Sequence, residues 1–410
     1  MLARSKSPRA VGRAAFAVAL LAIAACGSSN TTTSSSAGTA AAGPATGSPI
    51  NIGYNGELSG PSAAFGVPTL HGVQLAIDEF NAAGGVQNHP INLEVNDNAG
   101  KAATAVSLQN KIVADSSIIA MLGLNFGADN KAALPVSDAA NMPTLTFDWT
   151  GLSYAGPNRY AVTIDVTKVN DVLLKILDLP KYKGQVQRIA LWAGDAPVFA
   201  AATAGTAKAI ADKVGFQPKV IYYPEGAPDL TAQAQQLIDY NPQVVFDTGA
   251  TAAENVAPMK EAQRQGALKN TIWIGSTFVI PGVTTVAGPA VTAGAVSVTI
   301  VDFTKAEVKA LATKVDAKYH EPLSYGQVQG YDAASALILA LKAAGANATR
   351  ASLNAALSAL KNVKPVGGPA GYTYSFAPGG GSQHEAFGTD AAYSFVQLKA
   401  DGTIGAFTPS

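Results

Sequence analysis

The chain has 410 residues, 48% of them hydrophobic and 14% charged, with Lys plus Arg and Asp plus Glu balanced at 28 each. That length holds two or three domains of about 100–200 residues, and with no block of like charge past the N-terminus nothing points to nucleic acid as a partner. One cysteine excludes an intramolecular disulfide, and four scattered histidines, His71, His89, His320 and His384, offer no metal-ligand spacing, so neither metal nor cofactor is expected.

Residues 1–26 read as a targeting segment. Arg4, Lys6, Arg9 and Arg13 form a positive start without an acid among them, and Ala14 to Ala24 is an apolar run of about eleven residues, too short to span a bilayer. It ends at Ile23-Ala24-Ala25-Cys26, which resembles a bacterial lipobox whose cysteine is diacylated. Two acyl chains at Cys26 would suffice for stable anchoring to the outer face of the cell membrane; an ordinary signal peptide followed by a stray cysteine is the alternative. Loss of the four basic residues takes the formal charge from 0 to −4. Residues 27–49 are Ser, Thr, Ala, Gly and Pro with little else, a composition expected of a flexible tether.

From Ile50 onward strands and helices alternate. The run Ile50–Tyr54 reads as a strand, residues 59–62 as a turn, and Leu70, Val73, Ile77 and Phe80 recur at helical spacing, with Pro68 suited to a first turn and Gly84 to a C-cap. Strand patterns follow at Ile91–Val95, Ile118–Leu122 and Thr144–Phe147, with helices at 101–114 and 128–140. An extended stretch at Arg159–Asp165 precedes a second round: strands at Ile189–Trp192, Val220–Tyr223, Val244–Phe246 and Ile272–Ile274, helices at 169–178, 199–214, 231–240 and 253–265. After an extended Ala293–Ile300 come helices at 304–320, 327–344 and 350–360, then strand-like runs at Tyr372–Phe376 and Tyr393–Leu398. This alternation predicts an α/β fold of two doubly wound halves with parallel sheets. The late helices are too long and apolar for a tail, so the chain is expected to return to the first half and cross once more. The first lobe is then 50–163 plus 300–362, the second 164–299 plus 363–410.

The stretches Leu58–Gly100, Gly123–Thr146, Arg188–Gln217 and Gly326–Gly345 together resemble the substrate-binding proteins of ATP-driven importers in the branched-chain amino acid group, a type I periplasmic-binding fold. The Gly60-Pro61 loop with its Ala-Ala-Gly-Gly helix end, and the run Gln329-Gly330-Tyr331-Asp332-Ala333-Ala334, carry the resemblance most specifically. It implies two lobes joined by three crossings, a small-molecule ligand captured between them by hinge closure, a monomeric lipoprotein, and a membrane permease as partner.

Carried over position by position, the family's pocket falls on Phe65, on Asn125, Phe126 and Gly127 after the third strand, on Asp148, Trp149 and Thr150 after the fourth, on Phe199, near Ala250, and on Thr277, where relatives hold an acid against the ligand's ammonium. Several polar contacts of relatives are weakened here, and a buried ammonium without a partner costs several kcal/mol. A drier, aromatic pocket is therefore expected, with Asp148 its one charge, suited to an amino-acid-like, aromatic or apolar solute. Phe199 equally suits a core position, Asp148 a turn cap, Asp332 a capping role, and the histidines the surface. No Gly-x-Ser-x-Gly run exists, so an enzyme is not expected. A secreted hydrolase working through a carboxylate pair, or a sensing protein of the same fold without a transport role, are the competing readings.

Overall fold

The computed structural model describes residues 43–60, 62–125, 127–147, 156–195, 197–249, 251–280 and 282–407, with backbone alone at 127–128, 166–167, 197–202 and 381–382. Strand β1 (Ile50–Gly56) runs through a loop into helix α1 (Ala63–Ala82). Then come β2 (Ile91–Asp97), α2 (Ala102–Ala114), β3 (Ile118–Gly123), α3 (Gly127–Ala139), β4 (Thr144–Thr146) and β5 (Arg159–Ala161). These strands form one parallel sheet in the order β2-β1-β3-β4-β5. The order reverses between β1 and β3, which is the switch point where open α/β sheets place ligands.

The chain then repeats the pattern with α4 (Val166–Leu173), β6 (Ile189–Gly194), α5 (Pro197–Val214), β7 (Lys219–Tyr223), α6 (Thr231–Tyr240), β8 (Val244–Asp247), α7 (Ala252–Gln265), β9 (Ile272–Gly275), α8 (Val283–Ala287), α9 (Pro289–Thr292) and β10 (Val296–Thr299). It returns for α10 (Ala306–Tyr319), α11 (Tyr325–Ala344) and α12 (Arg350–Ser358), and ends in β11 (Ser394–Leu398) and β12 (Ile404–Ala406). The second sheet has the order β12-β11-β10-β9-β8-β6-β7, with β11 and β12 antiparallel. Its switch point lies between β6 and β8.

Most expected elements form within a residue or two of their predicted ends, because local chemistry closes them. Thr251 Oγ1 accepts from Glu254 N at 3.3 Å while Glu254 Oε2 accepts from Thr251 N at 3.0 Å, a capping box at the start of α7. Ser324 N donates to Gln327 Oε1 at 2.8 Å at the start of α11. Helix α1 differs: it starts five residues before Pro68, so the proline sits in its second turn rather than its first. Pro68 has no N–H for the carbonyl of Ala64, and Thr69 Oγ1 instead donates to Phe65 O at 2.9 Å.

Helices α1 and α11 cross with their backbones almost touching. A Cβ on Gly72 would lie 2.0 Å from Gln327 O, and one on Gly330 would lie 2.0 Å from Thr69 O. This crossing and α12 cover one face of the first sheet, burying Ile52, Tyr54, Leu122 and Leu145, while α2 and α3 cover the other through Ile112, Met121 and Leu134. In the second lobe one cluster packs Trp192, Tyr223, Val245 and Phe278 with residues of α6 and α7.

Four expectations are corrected. Residues 43–49, expected in the tether, are bound to the folded body: Ala45 N donates to Asn81 O at 2.9 Å, Gly47 N to Asn88 O at 2.7 Å and Thr46 N to Asn88 Oδ1 at 3.0 Å. Residues 363–387, expected in the second lobe, pack on the first instead, touching its sheet at one isolated bridge between Ala161 and Glu385. Ala386 N donates to Ala161 O at 2.9 Å, and His384 stacks on Tyr160 with ring centroids 4.1 Å apart. The predicted strand Tyr372–Phe376 is reduced to one bridge, Tyr374 with Val363. His384 is consequently 0% exposed, with Nδ1 2.6 Å from Gly156 O, rather than a surface residue. Asp332 is buried and caps backbone, accepting from Val366 N at 2.6 Å and Gly367 N at 3.0 Å beside the second crossing. Burial holds its carboxyl up at about 7 despite those two bonds.

Candidate functional site

The carboxyl ends of β1 and β3 bring Glu57 and Asn125 together. Asn125 donates twice to one carboxyl group: from its backbone N to Glu57 Oε1 at 3.2 Å and from Nδ2 to Glu57 Oε2 at 2.5 Å. Glu57 is 0% exposed and also hydrogen-bonds the carboxyl of Asp129, in the first turn of α3. Two carboxyls can share a hydrogen bond only if one keeps its proton. Burial first, and then the bond to Asp129, push Glu57 up to about 7. Burial likewise raises Asp129. The pair is therefore a neutral-plus-anion unit that fixes Asn125, whose Oδ1 has no partner among the described residues.

Asn125 faces a cavity of about 10 Å³, the space of a single water molecule. Phe65, Pro68 and Thr69 of α1, Phe147 after β4, and Tyr325, Gly326 and Gln329 of α11 line it from the first lobe, and Ile280 after β9 from the second. Phe65 is half-buried and packs against the apolar cluster around Trp192 and Phe278, so it bridges the lobes. Gln329 Nε2 donates to Phe147 O at 3.1 Å, and Thr163 Oγ1 lies 3.3 Å from the Tyr325 hydroxyl, tying the first crossing to this wall. No lysine or arginine lines the cavity among the described residues.

The crossings carry their own acid. Glu385 is 7% exposed beside the third crossing, and burial, then the charge of Asp165, push it up to about 8. Tyr393 Oη accepts from Asp165 N at 2.9 Å, clasping the first and third crossings together.

Of the residues predicted for ligand contact, Phe65 and Asn125 line the cavity. Thr277 is 2% exposed and does not line the cavity. Gly127 is the first residue of α3 and Phe199 lies in the first turn of α5, as backbone positions. Phe126, Asp148, Trp149, Thr150, Ala250 and Cys26 lie outside the described residues. Sequence reasoning missed Glu57, Asp129 and Asp247. The usable signal was an acid at or just beyond the carboxyl end of an apolar strand, as in Tyr54-Asn55-Gly56-Glu57 and Val244-Val245-Phe246-Asp247. Such a position is buried and faces the ligand edge of the sheet. Among the described residues no cluster of three or more His, Cys, Asp or Glu is placed to hold a metal, and no helix is long and apolar enough to cross a membrane.

A family model described as periplasmic binding protein matches residues 49–403. A Leu/Ile/Val-binding protein of Rhizobium johnstonii is 38% identical over 89 residues, which is 22% of this chain and 23% of that protein. The alignment thus spans about a quarter of that relative's length. Two solved structures share the fold over most of the chain. One is a branched-chain amino acid transporter substrate-binding protein of Streptococcus pneumoniae in complex with isoleucine (20% identity, 88% of this chain and 100% of that one, TM-score 0.72). The other is an ABC transporter solute-binding protein of R. palustris in complex with benzoate (18% identity, 87% and 95%, TM-score 0.71).

Proposed function

This chain belongs to the periplasmic binding protein family, a family of binding proteins and not of enzymes, and from that premise we propose that it captures a small organic solute between its two lobes and delivers it to an ATP-driven importer. The observation that carries this reading is the cavity whose walls come from both lobes at the carboxyl edges of their sheets, Asn125 and Phe147 from one side and Ile280 from the other. A space of about 10 Å³ is too small for an organic solute, so entry requires the lobes to part. The crossings at 162–165, 299–302 and 388–393 are the segments that can absorb such a rotation. Capture by a lipoprotein anchored through Cys26, with the lobes divided near the three crossings, completes the proposal.

The similar proteins bind, by their titles, isoleucine in one case and benzoate in the other, and an apolar wall of Phe65, Phe147 and Ile280 suits the body of either. Helix α3 begins at Gly127 on the cleft edge, so its first-turn N–H groups offer a place for a carboxylate. A thermal-shift screen of branched-chain and aromatic amino acids, aromatic acids, amides and polyamines tests the reading. A true ligand at a hundred times its Kd stabilises the folded protein by about 2.7 kcal/mol, a rise in Tm of several degrees. Absence of any shift, together with hydrolysis of ester or amide substrates, would replace the binding reading with the hydrolase one.

A further inference from the structure

The joint between the lobes encloses a carboxyl group that nothing binds. Glu385 belongs to the first lobe, where it bridges to Ala161 at the end of β5 and Ala386 N donates to Ala161 O at 2.9 Å. A Cβ on Gly388 would lie 2.7 Å from Glu385 Oε2, so the carboxyl rests against the backbone at the start of the third crossing. Both of its oxygens are buried without a hydrogen-bond partner among the described residues. The charged and titratable groups that act on it come from the moving parts of the joint. They are Asp165 in the first crossing, Lys168 in the first turn of α4 and Tyr393 in the third crossing. Lys168 Nζ lies 3.5 Å from Asp171 Oδ2, so its charge is already shared, and the Tyr393 hydroxyl is engaged by Asp165 N at 2.9 Å. Of the neighbours along the chain, His384 keeps Nδ1 2.6 Å from Gly156 O, the Tyr372 hydroxyl donates to Ala386 O, and Asp390 pairs with Lys175 at 2.9 Å.

We propose that Glu385 is a proton-operated latch on lobe closure: the closed form holds it neutral, and parting of the lobes lets it ionise. The inference rests on the solute-capture reading above, which requires the lobes to part about these crossings. In the structure the lobes are shut on a cavity of about 10 Å³. A carboxylate at Glu385 would then be buried without a donor and beside a second acid, and such a charge neutralises rather than persists. Burial first, and then Asp165, accordingly push Glu385 up to about 8. Rotation at 162–165 and 388–393 shifts Asp165, Lys168 and the Gly388 backbone against a carboxyl anchored at Ala161, and admits water to it. The open form therefore holds the proton less tightly, so acid favours closure, alkali favours opening, and capture takes up a proton. A Glu385 pKa one unit lower in the open form makes the closed-to-open ratio tenfold larger on the acid side than on the alkaline side.

The test reads lobe separation on the full chain without solute. Spin labels are placed at Asn110→Cys of α2 and Gln263→Cys of α7, both exposed positions, in a Cys26→Ser background, and their distance is measured by electron paramagnetic resonance. The expected result is a short distance on the acid side and a growing long-distance population as pH rises through about 8. Glu385→Gln, neutral at every pH, should hold the short distance throughout. Asp165→Asn, which removes the neighbouring charge, should move the transition to lower pH. A wild-type distance indifferent to pH, opening on the acid side, or a Glu385→Gln profile that follows the wild type overturns the latch. Isoleucine and benzoate are then added at constant pH. A solute-driven change in distance without any response to pH leaves capture standing and removes the latch. No response to pH, to either probe or to the broader solute screen ends both readings. Should Glu385→Gln not fold, Asp165→Asn decides alone, and an unmoved transition overturns the latch.

Discussion

Near each switch point lie a tyrosine, an acid and an asparagine, Tyr54, Glu57 and Asn125 in the first lobe and Tyr223, Asp247 and Asn255 in the second, on different strands and differently partnered. In the first, both carboxyl oxygens of Glu57 accept from Asn125 and the group also meets Asp129. In the second, one Asp247 oxygen and the Asn255 carbonyl have no partner among the described residues. A buried polar group left unpaired costs about 1–3 kcal/mol, so the second arrangement is held against its own interest unless something else completes it. The acid is fully partnered in the first lobe and half partnered in the second, while Tyr54 Oη and Asn125 Oδ1 in the first lobe, like Tyr223 Oη and Asn255 Oδ1 in the second, have no partner among the described residues.

The contrast is broken most directly by deleting each acid. Glu57→Ala strands the backbone N–H and the amide of Asn125 and should cost about 2–6 kcal/mol, counted as two unsatisfied buried donors, whereas Asp247→Asn should change stability by less than about 1 kcal/mol. Urea unfolding of both measures this, and equal losses would erase the distinction.

The next effect is on pH. Glu57 has its proton until about 7 when folded but releases it near 4.5 in the unfolded chain. The folded state therefore binds the extra proton between those values. The stability this confers is complete below 4.5, declines as pH rises through that window, and is gone above 7. Asp332 and Glu385, raised to about 7 and 8, act with the same sign. Glu57→Gln should flatten part of the slope of Tm against pH between 4.5 and 7; an unaltered slope would remove Glu57 from the account.

The smallest effect sharpens the comparison at the level of one hydroxyl. The Tyr160 hydroxyl donates to Asn354 Oδ1 at 2.7 Å and lies 2.7 Å from Ser358 Oγ, holding α12 to the sheet edge. Tyr160→Phe should cost about 1–2 kcal/mol, while Tyr223→Phe, which removes a hydroxyl with no partner among the described residues, should cost nothing or stabilise. Melting curves of the two single variants provide the check.

Much of this architecture was legible in sequence because periodicity and caps are local. Thr251 with Glu254 marks the start of α7, and Gly266 its end, without reference to anything distant. Long-range choices were not legible. Residues 363–387 have a strand-like pattern that says nothing of which sheet they meet, and Tyr160 decides that by stacking on His384. Phe65, which the structure places in the first turn of α1, and Asn125 were found because the family resemblance carries its pocket onto those positions. Glu57 and Asp247 were missed because an acid next to an apolar run looks like a surface boundary until the sheet closes around it.

The contact of α1 with α11 has a practical consequence. Phe65 and Thr69 stand on one of these helices, Tyr325 and Gln329 on the other, and the glycines at 72 and 330 lock the two backbones together. The wall they build is closely packed, with the two helix backbones in contact at Gly72 and Gly330. An optical biosensor made from this protein should therefore carry its two reporters on opposite lobes, across the crossings at 162–165 or 299–302. A pair placed within this wall would remain at a fixed separation and stay dark to the analyte.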